Sequence, residues 1–375
     1  MSSFRVVICG GGIAAMEALL RLRALAGRKV HVTMVAPEDE LRYRPDALEQ
    51  PFTVSPPAYP LEAIASRTGA EWVQDAAESL DPDDQVIHTT GGQKLAFDAV
   101  LLALGARSVS PFEHVTLFDD AHADEAYHGL VQDVEGGYTR SVALLVPEGP
   151  TRLLPAYELA LMTAERAENM GQEGLAVLLV TPEPAPLAAL GEAASNTVAA
   201  LLDRAKVRVY TGARPAVLAT RHLLVTPNGP ELEPERIVAL PRLEGRLLPG
   251  VPAVDGGFVP VDAFARVKGM GGQVFAAGDG TDVPFKHGSV EAQQADAAAA
   301  GIAALAGAAM EPEPVQPVVW ATLHTGREPL YLKARVEGDR VESEVTTDRG
   351  WTGNGKVVAD ELGPFLRSLA PGLAA

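Results

Sequence analysis

Six consecutive residues near the start, Gly10-Gly11-Gly12-Ile13-Ala14-Ala15, have the types and spacing to hold a pyrophosphate. They read G-x-G-x-x-A, a variant of the dinucleotide fingerprint. Gly10 permits the tight turn. Gly12 lets a phosphate approach the backbone where a Cβ would otherwise stand. Ala15 is small enough for a helix to pack on the preceding strand. An apolar run, Val6 to Cys9, precedes the turn and a helical stretch, Ile13 to Ala26, follows it. A helix N-terminus, with its N–H groups and partial positive charge, is thereby aimed at the phosphates. The next strand should end in an acid ~20 residues past the glycines, to hold a ribose hydroxyl. His31 to Val35 leads to Ala36 at that position, with Glu38 two residues later. Glu38 is the candidate, and a solvated loop acid is the competing reading.

A second cluster stands near the other end. Gln273 to Ala277 reads as a buried strand ending in Gly278-Asp279. A loop, Gly280 to Phe285, leads to Lys286-His287-Gly288-Ser289 and an Ala- and Gln-rich helix. Cysteine chemistry is absent: Cys9 is the one cysteine, so a disulfide, a CxxC pair and a four-cysteine metal site are all excluded within the chain. Cys9 reads as a small buried strand residue. The eight histidines show no metal spacing with a third ligand. Asp119, Asp120, His122, Asp124, Glu125 and His128 read as a solvated acidic loop.

The elements that must carry these clusters alternate. Apolar runs, most of them without polar alternation, occur at Val6 to Cys9, His31 to Val35, Ala99 to Leu104, Val142 to Val146, Ala176 to Val180, Arg236 to Leu240 and Val274 to Ala277. Strands of a parallel sheet covered by helices on both faces read this way. Helices between them include Ile13 to Ala26, Tyr157 to Asn169 and Ala193 to Arg204. The expectation is an α/β doubly wound architecture. Beyond the Pro-rich segment at Glu311-Pro312-Glu313-Pro314 the pattern changes. Val318 to Leu323, Pro329 to Val336 and Arg340 to Thr346 predict an antiparallel meander, and about Lys356 to Leu369 predicts an amphipathic helix.

The chain has 375 residues, enough for two to three domains, and 47% hydrophobic residues, enough for a sizeable core. Lys and Arg total 31 against 49 Asp and Glu, a formal charge of −18. A field of that sign repels phosphate backbones and anionic membranes, so no nucleic-acid partner is expected. No apolar run approaches the ~18 residues of a membrane-spanning helix, and no cleavable leader is apparent. The near absence of cysteine fits a reducing compartment, and a cytoplasmic location is the default expectation.

Two nucleotide-type signals with this wide spacing resemble the two-dinucleotide-domain flavoproteins. The nearest branch holds sulfide:quinone oxidoreductases, flavocytochrome c sulfide dehydrogenase subunits and type II NADH dehydrogenases. Further carriers of the resemblance are Ala103-Leu104-Gly105-Ala106, Pro155-Ala156-Tyr157-Glu158-Leu159-Ala160 and Gly257 to Asp262. The resemblance implies two Rossmann-like dinucleotide-binding domains and a small C-terminal α+β region. An FAD domain over 1–110 and 245–310 would be split by an inserted domain over 111–244, with 311–375 at the end. It implies noncovalent FAD on Gly10, Gly11, Gly12, Ile13, Ala14 and Ala15, with Gly105, Gly278 and Asp279 completing the site. Asp279 takes the role of binding the ribityl chain. The helix at Gly288 points its N-terminus at the flavin pyrimidine, where Lys286 and His287 add positive charge. Arg44, after the second strand, is a phosphate or flavin contact, with a surface turn as the other reading.

Two features of the family are missing. The inserted domain has Pro147-Glu148-Gly149-Pro150 in place of a second glycine fingerprint. The prolines remove N–H donors and Glu148 adds a negative charge, so tight NAD(P)H binding is not expected. The redox cysteine pair of the sulfide-oxidising members is also absent. The leading reading is an FAD-dependent oxidoreductase passing electrons to a small-molecule, quinone-like or protein acceptor, with a homodimer compatible. Two alternatives stay open: an NAD(P)H:quinone reductase with loose nicotinamide binding, and a non-catalytic flavoprotein subunit or redox sensor.

Overall fold

The computed structural model describes residues 3–41, 43, 48, 51–52, 59–119, 123–338, 340–351 and 358–369. Two five-stranded parallel sheets dominate it. The first has the spatial order Val274–Ala276, Ala99–Leu102, Phe4–Cys9, Val30–Ala36, Glu71–Gln74. Val6 lies opposite Val32 on one side and Ala99 on the other. The second has the order Thr116–Leu117, Arg236–Ala239, Ser141–Leu145, Ala176–Val180, Arg208–Tyr210. Leu144 lies between Leu179 and Val238. Both sheets are built from the β-branched and aliphatic runs that burial on two faces selects. They are Rossmann-like and give the chain its mixed α/β class.

The chain passes between the sheets twice, and the two passages pair antiparallel: Ala106–Val109 against Arg242–Gly245. The first sheet thus draws on both flanks of the middle segment that forms the second.

The helix after the glycine turn, Ile13–Ala26, packs against the helix Gly288–Leu305. The latter is rich in small residues, with Ala295, Ala298, Ala299 and Ala303 fully buried. Side chains that short let the two backbones approach closely. The antiparallel sheet Val318–Leu323, Leu330–Glu337, Arg340–Thr346 is clasped to the same long helix. Gln293 donates from Nε2 to the Val318 carbonyl at 2.7 Å and accepts the Val318 N–H at 3.0 Å.

Three sequence expectations are corrected. The helix expected from Tyr157 begins at Leu154, because Pro155 falls in its first turn, where a missing N–H costs nothing. The expected acidic loop is helical from Ala123 through Glu135, with residues 120–122 outside the described residues. The final helix spans Leu362–Leu369, while 352–357 lie outside the described residues. Pro364 again fits only a first turn, and the buried Glu17 carboxylate accepts the N–H of Glu361 at 2.9 Å and of Leu362 at 2.7 Å. The antiparallel strands Ala77–Asp81, Val86–Thr89 and Lys94–Ala96 were not anticipated. They are short and largely polar, so neither periodicity stands out.

Candidate functional site

Two adjoining cavities lie along the C-terminal ends of the first sheet. The larger holds about 620 Å³ and is lined by Gly10 to Ala14, Glu38, Ala103 to Gly105 and Gly278, among others. The smaller holds about 290 Å³ between Arg152 to Pro155 on one wall and Pro284 to Gly288 on the other. Ile13 and Glu291 border both, so the two form one elongated site.

The glycine turn sits where the sequence places it. Gly10 has φ of +134°, and a Cβ there would stand 2.1 Å from the Ala103 carbonyl oxygen. The fold itself requires this glycine. Gly12 is different: a Cβ there would meet nothing within 4 Å. No described residue crowds this position, and the space above it opens into the larger cavity. The helix that starts at Ile13 has no side-chain cap and no acid in its first turn. An uncapped helix start over a glycine cradle fits a pyrophosphate. Glu38 is exposed on the cavity rim, two residues past the buried strand end at Ala36. Gly11, Ala14, Gly105 and Gly278 line the same cleft, and Ala15 is fully buried beneath it. Arg44 lies outside the described residues.

Asp279 is 1% exposed, and its carboxylate is held by an arginine the sequence reading did not single out. Arg152 Nε donates to Asp279 Oδ2 at 2.9 Å, and a terminal guanidinium nitrogen donates to the same oxygen. The two residues are 127 apart in sequence. Only the folded proximity of the two sheets reveals the pair.

Lys286 is 7% exposed, not an ordinary loop lysine. Its ammonium donates to the carbonyls of Asp279 at 3.0 Å and Thr281 at 2.6 Å. It lies 4.1 Å from the centre of the Phe258 ring. Burial pulls its pKa down to about 8, against the opposing pull of Asp279. Lys286 straps the loop after Gly278-Asp279. His287 caps the following helix, its Nδ1 accepting the Ser289 N–H at 3.2 Å. His287 thus holds the start of that helix through its ring. Gly288 is the first residue of that helix and borders the smaller cavity.

The second sheet presents a different surface at the equivalent place. After Ala176–Val180 stands Glu183, the positional counterpart of Glu38. It turns inward: the Tyr157 hydroxyl donates to it, as does the Ala189 N–H at 3.0 Å. Burial pushes both Glu183 and Tyr157 upward. Glu148, on the proline turn, is ion-paired with Arg214 at 2.7 Å. Glu158 is fully buried on the wall of the smaller cavity and accepts the His324 N–H at 2.9 Å. Trp351 does not reach either cavity; it packs edge-on against Trp320 and Tyr331. Cys9 is buried, and desolvation pushes its thiol up to about 12. Among the described residues no group of three or more His, Cys, Asp or Glu converges as a metal site, and no helix is long and apolar enough to cross a membrane.

Comparison with known proteins matches residues 4–301 to the pyridine nucleotide-disulphide oxidoreductase family. The sulfide-quinone reductase of Aquifex aeolicus (strain VF5) is 24% identical over 188 residues, 48% of this chain and 43% of that protein. The chain thus matches less than half the length of this curated relative. The crystal structure of sulfide:quinone oxidoreductase from Aquifex aeolicus superposes with a TM-score of 0.82 at 19% identity, covering 92% of this chain and 87% of that one. A ferredoxin reductase from Rhodopseudomonas palustris gives 0.67 at 17% identity, covering 89% and 83%. The chain belongs to the pyridine nucleotide-disulphide oxidoreductase family.

Proposed function

We propose that this protein passes electrons through FAD from a donor other than a pyridine nucleotide to a quinone-like or protein acceptor, without a cysteine pair. FAD, when bound, supplies the hydride and electron chemistry. The residues of the chain bind and orient it. Gly10 to Ala15 would cradle the pyrophosphate, and Glu38 on the cavity rim would take the ribose. Gly105 and Gly278 line the cleft where the ribityl chain would run, with Asp279 held behind them by Arg152. Lys286, His287 and Gly288 set the helix start that would face the ring from the wall of the smaller cavity. The split of the FAD domain around an inserted domain over 111–244 belongs to the same reading.

One observation carries the exclusion of pyridine nucleotide: the contrast between Glu38 and Glu183. The first faces an open cleft. The second is 9% exposed and committed to Tyr157 and Ala189. A buried carboxylate already paired inside the fold is not available to a ribose. The proline turn, Pro147 to Pro150, removes donors at the phosphate position as well. The single, buried cysteine supports a mechanism without disulfide exchange and fits a reducing, cytoplasmic compartment.

The test is reoxidation. The FAD-loaded protein is reduced photochemically without oxygen and mixed with a short-chain quinone or a ferredoxin-type protein. Stoichiometric return of the oxidised flavin spectrum with either acceptor supports the reading. Failure of both, in a protein that retains FAD, points to a non-catalytic flavoprotein.

A further inference from the structure

The larger cavity is bordered by an arginine that the fold does not use. Arg246 lines it, together with the glycine turn and Glu38. The side chain is exposed, and among the described residues it has no hydrogen-bond or ion-pair partner. Its backbone, in contrast, is pinned on both sides. Gly245 lies so close to Gly257 that a Cβ would stand 2.0 Å from the Gly257 carbonyl oxygen. Leu248 is 6% exposed and shares a buried cluster with Leu80 and Val35. The Leu80 N–H donates to the Pro249 carbonyl at 2.9 Å. An uncommitted guanidinium therefore stands on a fixed segment at the edge of the cleft.

Its charge suits what the cleft would hold. Arg246 is the one cation among the described residues lining the larger cavity, which Glu38, Asp39, Glu40 and Glu291 also line. The cations of the smaller cavity are engaged elsewhere: Lys286 with the carbonyls of Asp279 and Thr281, and Arg152 with the Asp279 carboxylate. A dinucleotide pyrophosphate is a dianion, and a helix start supplies only about half a positive charge. An arginine fork matches phosphate oxygens in shape and charge. We propose that Arg246 is a cofactor-binding residue whose guanidinium pairs with the pyrophosphate of FAD and completes the site that the glycine turn begins. This rests on the reading that the dinucleotide occupies the larger cavity. Arg246 adds affinity through its charge and lends the fold no support of its own.

The experiment strips FAD from the purified protein and titrates it back, reading flavin fluorescence, for wild type, Arg246→Met, Arg246→Lys and Arg246→Glu. At low salt Arg246→Met should bind FAD about tenfold more weakly, the scale of one charge-assisted pair. Arg246→Lys should fall between the two, and Arg246→Glu should bind more weakly than Arg246→Met. The gap between wild type and Arg246→Met should narrow from about 10 mM to about 1 M salt, as the screening length falls from about 30 Å to about 3 Å. The stripped variants should melt with stripped wild type, since no described residue holds the side chain. Equal affinity of wild type and Arg246→Met at low salt overturns the proposal. So does a loss that salt leaves unchanged, or one as large in Arg246→Lys as in Arg246→Met; either result makes Arg246 a plane on which a base stacks. A wild-type protein that takes up no FAD fails a step earlier, at the functional reading itself.

Discussion

Glycine at position 12 has no steric reason among the described residues. Its place on the wall of the larger cavity, before an uncapped helix start, is what marks it as a ligand contact. Gly12→Val should abolish FAD retention while leaving the melting temperature of the cofactor-free protein nearly unchanged. Absorbance of the purified variant at the flavin bands checks the first half, and thermal unfolding of the stripped protein checks the second. A yellow variant with full FAD content would refute the cradle. Cys9 makes the opposite case. Its thiol is buried and pushed up to about 12 by desolvation, so it is neither exposed nor ionised at neutral pH. Native protein should resist maleimide labelling that goes to completion in urea, and Cys9→Ala should keep the flavin's reactivity. Rapid labelling of the native protein would contradict the buried placement.

At the scale of elements, the parallel strands and the glycine turn were legible because their signals are local. An apolar run, a turn of fixed types and an Ala/Leu helix need no partner to be read. Ile13–Ala26, Ala176–Val180 and Arg340–Thr346 coincide with the expected spans. What escaped depends on partners distant in sequence. Arg152 was visible only as a cation in a proline-rich turn, since its acid lies in another part of the chain. Lys286 was found as a neighbour of the helix start, but the direction of its ammonium is decided by carbonyls of Asp279 and Thr281. The start of the last helix is decided by Glu17, on a helix at the other end of the chain. That docking site also has a pH signature. Asp296 is raised to about 8, chiefly by burial and then by Glu17, with Arg21 opposing. The Arg21 Nε lies 3.7 Å from its carboxylate, too far for a strong hydrogen bond. A group with its folded pKa above its unfolded value of 3.8 favours folding at low pH, and loses that contribution as pH rises to about 8. Asp296→Asn should therefore raise the melting temperature at pH 8 by ~2 °C or more, about 1 kcal/mol, and by much less at pH 5. Equal effects at the two pH values would contradict the linkage.

For the whole molecule, two five-stranded parallel sheets carry two different fates. The first keeps an open cleft with an uncapped helix start. The second has a proline turn, an inward acid and a tyrosine in the place where a second dinucleotide would lie. The two-sheet plan was legible from the alternation of strands and helices. The features on which the proposed exclusion of a second nucleotide rests were legible only in part. The missing glycines and the prolines are in the sequence, but the turn of Glu183 toward Tyr157 is a product of packing. Anaerobic stopped-flow mixing of the FAD-loaded protein with NADH or NADPH shows whether electrons enter the flavin from a donor other than a pyridine nucleotide. The predicted result is slow bleaching of the flavin band, with no saturation at micromolar nucleotide. Fast, saturable bleaching by either nucleotide would contradict it and make the protein a pyridine-nucleotide-dependent reductase.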